Sequence, residues 1–198
     1  GWSAWGPLVH VVGARPNLPK AAPVLLELER RGASQIVVNT GQHYDDAMSG
    51  KLMRQLRMPP PDYELGVGSG THVLQTAKVM VSLESVLEAV KPSAVVVYGD
   101  VNSTLGAALC AYLSSLQIIH IEAGLRSGDL SMPEERNRRL VDAMSSLALT
   151  TSEEASENLL NERIPENRIR FVGNPMIDSL VTALQQIENG EATNPLAG

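Results

Sequence analysis

Residues 120–142 read HIEAGLRSGDLSMPEERNRRLVD. The stretch leaves an apolar run, Gln117–Ile121, crosses a polar loop carrying Arg126, Ser127, Gly128 and Asp129, and enters a helix headed by Glu134. A short run nearly continuous in Ile is the pattern of a strand buried on both faces of a parallel sheet. A strand handing over to a helix through a polar loop is half of a βαβ unit. The same alternation recurs on either side. Apolar β-rich runs stand at 8–12, 35–39, 94–98, 117–121, 146–150 and 169–172. Val73, Ala77, Met80, Leu87 and Val90 keep helical spacing along 71–91, apart from one double step. Leu105, Ala108, Leu109, Tyr112, Leu113 and Leu116 do so along 103–116. The class predicted is α/β, a doubly wound, mostly parallel sheet with right-handed crossovers.

Starts and stops fit this order. Gly32 follows the first helix, and Pro92 closes the long one after Lys91. Thr71 heads the long helix after a glycine-rich lead-in, and Thr151 with Glu154 has capping-box spacing for a helix over 153–163. Pro19 and Pro23 predict a first helix that starts late or kinks.

A chain of 198 residues, 43% hydrophobic and 19% charged, can build a full core as one large domain or two small ones. Net charge is −6 and no block of lysines or arginines stands out, which argues against a nucleic-acid surface. Arg136, Arg138 and Arg139 form the densest basic patch and read as helix decoration meeting local carboxylates. Cys110 is the only cysteine, so no disulfide forms within the chain, and its apolar helical setting predicts a buried structural thiol. No apolar run approaches the ~20 residues that span a bilayer. The start, GWSAWGPLVHVV, has neither the basic head nor the long apolar segment of a secretory signal. Residues 1–7 read as an N-terminal extension, 8–175 as one domain, and 176–198 as a helix running into a loose polar tail.

Every candidate for chemistry sits where a strand hands over to a loop or helix, the place where open α/β sheets bind ligands. Gly13, Arg15, Pro16 and Lys20 follow the first strand. They suit a tight turn and an anion at a helix start, or a plain helix start with two surface cations. Gly41, Gln42, His43 and Asp45 form a polar loop after the second strand, where a histidine is ordinarily just solvated. Gly66, Gly68 and Gly70 lack the dinucleotide spacing and no strand immediately precedes them. Asp100, after 94–98, is an acid/base candidate or a cap for the next helix. Glu134 stands in Ser131-x-x-Glu134, a capping-box spacing, while His120 reads as the packed end of a strand. Glu122 follows Ile121 directly, at the carboxyl edge of a buried sheet. Asp100, Glu122 and Glu134 thus form a constellation of acids at successive crossovers, where mutual repulsion can separate acid from base. No His/Cys spacing fits zinc.

Read with GARPNLPK (13–20), TGQHYD (40–45), YGDVNST (98–104) and VGNP (172–175), the 120–142 stretch resembles the UDP-N-acetylglucosamine 2-epimerases. The resemblance covers about residues 8–185. It implies a Rossmann-like domain that is the N-terminal half of a GT-B-type architecture, two such domains facing one another across a cleft. It further implies interconversion of UDP-N-acetylglucosamine and UDP-N-acetylmannosamine. UDP is eliminated to leave a 2-acetamidoglucal and is added back at the anomeric carbon as carbon 2 is inverted, with neither nicotinamide nor metal as cofactor. Asp100, Glu122 and Glu134 match the family's carboxylates, which move the carbon-2 proton or stabilise charge at the anomeric carbon. Arg15 and Lys20 match residues near the nucleotide and leaving diphosphate. Gln42 and His43 match a loop that meets a second, regulatory sugar nucleotide in many bacterial members, although Tyr44 and Asp45 depart from that loop's common residues. The family's catalytic histidine, in a His-Arg motif, belongs to the second domain and has no counterpart in these residues. The resemblance also implies a cytoplasmic homodimer acting on nucleotide sugars, without nucleic-acid or membrane partners. A hydrolysing relative releasing UDP and free N-acetylmannosamine stays open, as does a nucleotide-sugar-binding module without activity of its own.

Overall fold

The computed structural model describes residues 6–41 and 46–190, so Gln42 and His43 lie outside the described residues. Among the described residues the strands are β1 Leu8–Val12, β2 Gln35–Asn39, β3 Tyr63–Glu64, β4 Ala94–Tyr98, β5 Gln117–Ala123, β6 Leu147–Thr150 and β7 Ile169–Phe171. They pair parallel throughout in the order β3-β2-β1-β4-β5-β6-β7. The helices are α1 Leu18–Arg30, α2 Asp46–Gln55, α3 His72–Val90, α4 Asn102–Leu113, α5 Pro133–Met144, α6 Glu153–Asn161 and α7 Pro175–Glu188. The doubly wound, Rossmann-like sheet is therefore present, and its strand order reverses between β1 and β4. At such a switch point the two outgoing loops diverge and leave a crevice at the carboxyl edge.

Both faces of the sheet are covered, which is why the strands read as continuous apolar runs rather than alternating ones. All five residues of β4 are buried. Val95 and Val97 join Val9 and Val11 under Val79 and Leu83 of α3 and Ala107 and Ala111 of α4. Val96 and Tyr98 turn the other way, to Val12, Leu18 and Leu25. Cys110 packs within the first of these layers, where burial pushes its thiol up, as a structural cysteine requires.

Departures from the sequence reading are local. The two-residue β3 is too short to carry a periodic signal, and β5 runs to Ala123 rather than stopping at Ile121. α4 closes at Leu113 and α6 at Asn161, each earlier than the apolar spacing suggests. Thr71 caps α3 by accepting from the Leu74 N–H, but α6 is capped by Ser152, one residue beyond Thr151, through the Ala155 N–H. α5 has Met132 at its N-cap and no side-chain cap, so Ser131 and Glu134 form no capping box. In α1, Pro19 lies in the first turn and Pro23 inside the helix. Pro23 has no N–H to offer the Pro19 carbonyl four residues back. Ser179 of α7 donates its hydroxyl to that carbonyl at 2.6 Å, so the last helix lies along the first.

His10 is fully buried, with Nδ1 2.7 Å from the Tyr98 hydroxyl, and desolvation lowers its pKa from 6.5 to about 3. For a base whose folded pKa is depressed, the unfolded chain takes up the proton first. Its contribution to stability is complete above the unfolded value and falls as pH drops below it, by about 1.4 kcal/mol per pH unit. Urea denaturation of His10→Gln should therefore show a flatter loss of stability between about pH 6 and pH 4 than the parent chain. Parallel profiles would mean that His10 contributes nothing to acid sensitivity.

Candidate active site at the switch point

The turns after β1 and β4 meet at the crevice, and small residues let them approach. A methyl on Gly13 would stand 2.0 Å from Ser103 Oγ and 2.3 Å from Thr40 Oγ1, so this glycine is required by space rather than by a left-handed backbone. Gly99 needs both: its φ is +66°, and a Cβ there would meet Lys20 Nζ at 3.0 Å. Asn17 fastens the two turns together. Its carbonyl oxygen accepts from Gly13 and Ala14 N–H, while its amide donates to the Tyr98 carbonyl at 2.9 Å.

Glu122 occupies a break in the β5–β6 register between Ile121 and Ala123, with φ +71°. A bulge at the end of a strand re-aims one side chain, and a non-glycine residue in the left-handed region stores about 1–3 kcal/mol of strain. The displaced carboxylate is held by two cations. Lys20 Nζ stands 2.7 Å from Glu122 Oε1, and Arg138 Nη2 3.1 Å from the same oxygen. Arg138 also pairs with Asp100 Oδ2 at 2.5 Å and donates to the Glu122 carbonyl. Asp100 and Glu122 therefore converge on a shared guanidinium rather than repelling one another. Asp100 does not cap α4, whose N-cap is Val101 without a side-chain bond. Its carbonyl is fixed by the Asn137 amide at 2.9 Å.

Glu134 is exposed in the first turn of α5 and makes no ion pair among the described residues. With Asp100, Arg138, Ser127 and Glu135 it lines a hollow of about 360 Å³. Glu135, not Glu134, shapes the loop above: it accepts from the Ser127 N–H at 2.8 Å and from Arg139 at 2.8 Å. Burial pushes the Glu135 carboxyl up, but the Ser127 N–H and Arg139 outweigh it and hold it below the usual range. The three acids read from the sequence thus gather at one crevice. Arg15 is exposed at the start of a short 3-10 turn, and Lys20 is turned inward to Glu122 rather than outward as a surface cation.

The sequence reading missed Arg138, taken for surface decoration, together with Glu135, Asn137 and Asp142. A signal was present. Glu135, Arg138 and Asp142 share the inward stripe of α5 with Val141, and charged residues on the core stripe of a helix must have buried partners.

Fold and acid cluster together define a doubly wound α/β domain whose polar, acid-lined crevice opens at the carboxyl edge of the sheet, beyond β4 and β5. Within that class, the model of the family described as UDP-N-acetylglucosamine 2-epimerase matches residues 26–197, and the chain belongs to this family. A UDP-N-acetylglucosamine 2-epimerase homolog from Methanococcus maripaludis is 46% identical over 181 residues, which are 91% of this chain and 50% of that protein. The UDP-2,3-diacetamido-2,3-dideoxy-D-glucuronate 2-epimerase of Pseudomonas aeruginosa is 40% identical over 192 residues, 96% of this chain and 53% of that protein. The crystal structure of Methanocaldococcus jannaschii UDP-GlcNAc 2-epimerase in complex with UDP-GlcNAc and UDP matches with a TM-score of 0.89 at 41% identity. That match covers 96% of this chain and 51% of the other. The chain spans about half the length of the curated relatives it matches.

Arg138→Met should destabilise the chain by about 3–5 kcal/mol at neutral pH, because it leaves two carboxylates with one cation between them. Adding Glu122→Gln should recover part of that loss in a double-mutant cycle read by urea denaturation. Strict additivity of the two substitutions would show that they are not coupled through this cluster.

Proposed function

We propose that this chain is the N-terminal domain of a non-hydrolysing UDP-N-acetylglucosamine 2-epimerase, inverting carbon 2 of the UDP-linked sugar by elimination and re-addition of UDP. The observation that carries the reading is the meeting of Asp100, Glu122 and Arg138 at the switch-point crevice, with Glu134 on the same hollow. Epimerisation at the acetamido-bearing carbon 2 needs a proton removed from one face and returned on the other, which calls for more than one carboxyl group around the ring. Elimination of UDP also develops positive charge at the anomeric carbon, and fixed carboxylates are preorganised to stabilise it. Glu134, exposed and without an ion pair among the described residues, is the acid best placed to approach substrate directly. Asp100 and Glu122 are the preorganised pair behind it. Arg15, exposed beside the crevice, is assigned to the diphosphate, whereas Lys20 acts through Glu122.

The relatives' further length is assigned to a second domain that forms the opposite wall of the cleft. On this reading the 198 residues alone bind sugar nucleotide without sustained turnover, since without an opposite wall the sugar and the departing UDP stay open to water. The assembled enzyme is assigned as a cytoplasmic homodimer. A second substrate deserves testing because the Pseudomonas relative, named for a diacetamido uronate, matches over 96% of this chain.

In a chain extended to the relatives' length, Asp100→Asn, Glu122→Gln and Glu134→Gln should each lower turnover by about 10²–10⁴-fold, with solvent deuterium entering carbon 2 of the parent enzyme's product. Proton NMR of UDP-N-acetylglucosamine and the diacetamido uronate, each incubated in deuterated water, reads both. Glu134→Gln should leave the melting temperature unchanged, whereas Glu122→Gln should lower it by stranding Lys20. Product without deuterium would remove the elimination route. Unchanged turnover for Glu134→Gln would remove that residue from the chemistry.

A further inference from the structure

Behind the acid cluster lies a second charged group with no surface of its own. His120 on β5 and Asp142 on α5 are essentially inaccessible, at 0% and 1% exposure. His120 Nδ1 is 2.6 Å from Asp142 Oδ1, and His120 Nε2 is 2.7 Å from the Gly99 carbonyl oxygen. A carbonyl oxygen only accepts, so Nε2 must carry a proton. The remaining proton belongs either to Nδ1 or to the Asp142 carboxyl. Asp142 Oδ2 accepts from the Gly124 N–H at 3.1 Å and pairs with Arg126 at 2.8 Å, and Arg126 is itself paired with Glu162 at 2.6 Å. A carboxyl group so placed stays ionised: burial pushes Asp142 up, but His120 and Arg126 outweigh it and hold it below the usual range. With a neutral ring, the Nδ1 lone pair would face a carboxylate at hydrogen-bond distance.

We propose that His120 donates from both ring nitrogens and so acts as a positioning residue, fixing the Gly99–Asp100 turn so that Asp100 meets Arg138 and Glu122; its role in turnover rests on the function proposed above. The turn is gripped on both sides. Gly99 N–H donates to the Ile121 carbonyl at 3.0 Å, while its carbonyl accepts from His120. The charged groups facing His120 are Asp142 from α5, then Arg126 from the following loop, with Glu162 beyond it at the end of α6.

The test begins with the 198-residue chain labelled with ¹⁵N in its 4 histidines. Nitrogen spectra are taken at neutral pH. His120, assigned through single replacements of each histidine, should show two protonated nitrogens, while His10 stays neutral. A singly protonated ring would overturn the proposal without reference to activity. The second arm uses the extended enzyme. His120→Gln, which can serve only one of the two acceptors, should lower kcat by about 10²-fold with KM little changed, as expected when a reacting group is displaced rather than removed. Unchanged kcat would overturn the positioning role. A parent enzyme unable to epimerise would instead remove the functional reading and the positioning role together, leaving the charge state of His120 decided by the spectra.

Discussion

The guanidinium of Arg138 holds together two turns that arise on different strands of the sheet. It reaches the Asp100 carboxylate after β4, and both the carboxylate and the carbonyl of Glu122 at the end of β5. Charges taken out of water are costly unless opposite partners stand within hydrogen-bond reach. Here Lys20 and Arg138 balance Asp100 and Glu122. The balance is local and stoichiometric, so each member constrains the others. It also offsets the left-handed backbone at Glu122, which would relax toward an ordinary strand if its carboxylate had nothing to reach.

What surrounds this cluster is scaffold in the strict sense of fixing coordinates. Strand β4, buried along its whole length, sets the position of Gly99 and Asp100. Asn17 and Asn137 tie the neighbouring carbonyls, and Glu135 orders the loop between β5 and α5. Rigid elements place a few side chains, and loops carry them. Similarity to solved epimerases extends over nearly the whole of this chain and about half of theirs.

Much of this architecture was legible in the residues. Continuous Val and Ile runs gave the strands because both faces are buried, and Asp100, Glu122 and Glu134 stood out because each follows a strand or opens a helix. Partner choice was not legible. Lys20 meets Glu122 across 102 residues, and no local spacing announces such a pair. Arg138 looked like surface decoration because a cluster of three arginines on one helix does not reveal which of them faces inward. Arg139 does behave as read, pairing with Glu135 four residues back, while Arg138 turns to the crevice. Caps slipped by one residue, from Thr151 to Ser152, where adjacent hydroxyls compete for the same amides. Gly13 was read for its backbone freedom, but Ser103 and Thr40 forbid any side chain there.

The two outermost strands, β3 and β7, are the shortest in the sheet, at two and three residues. A parallel sheet rich in valine and isoleucine exposes its hydrogen-bonding groups only along its margins, and those margins are where another chain would add itself. Margins this brief offer too few consecutive amides and carbonyls to template an incoming strand. The aliphatic density that makes the centre of the sheet rigid is thereby kept from becoming a route to aggregation, and the brief margins also carry exposed charges, Glu64 on β3 and Arg170 on β7.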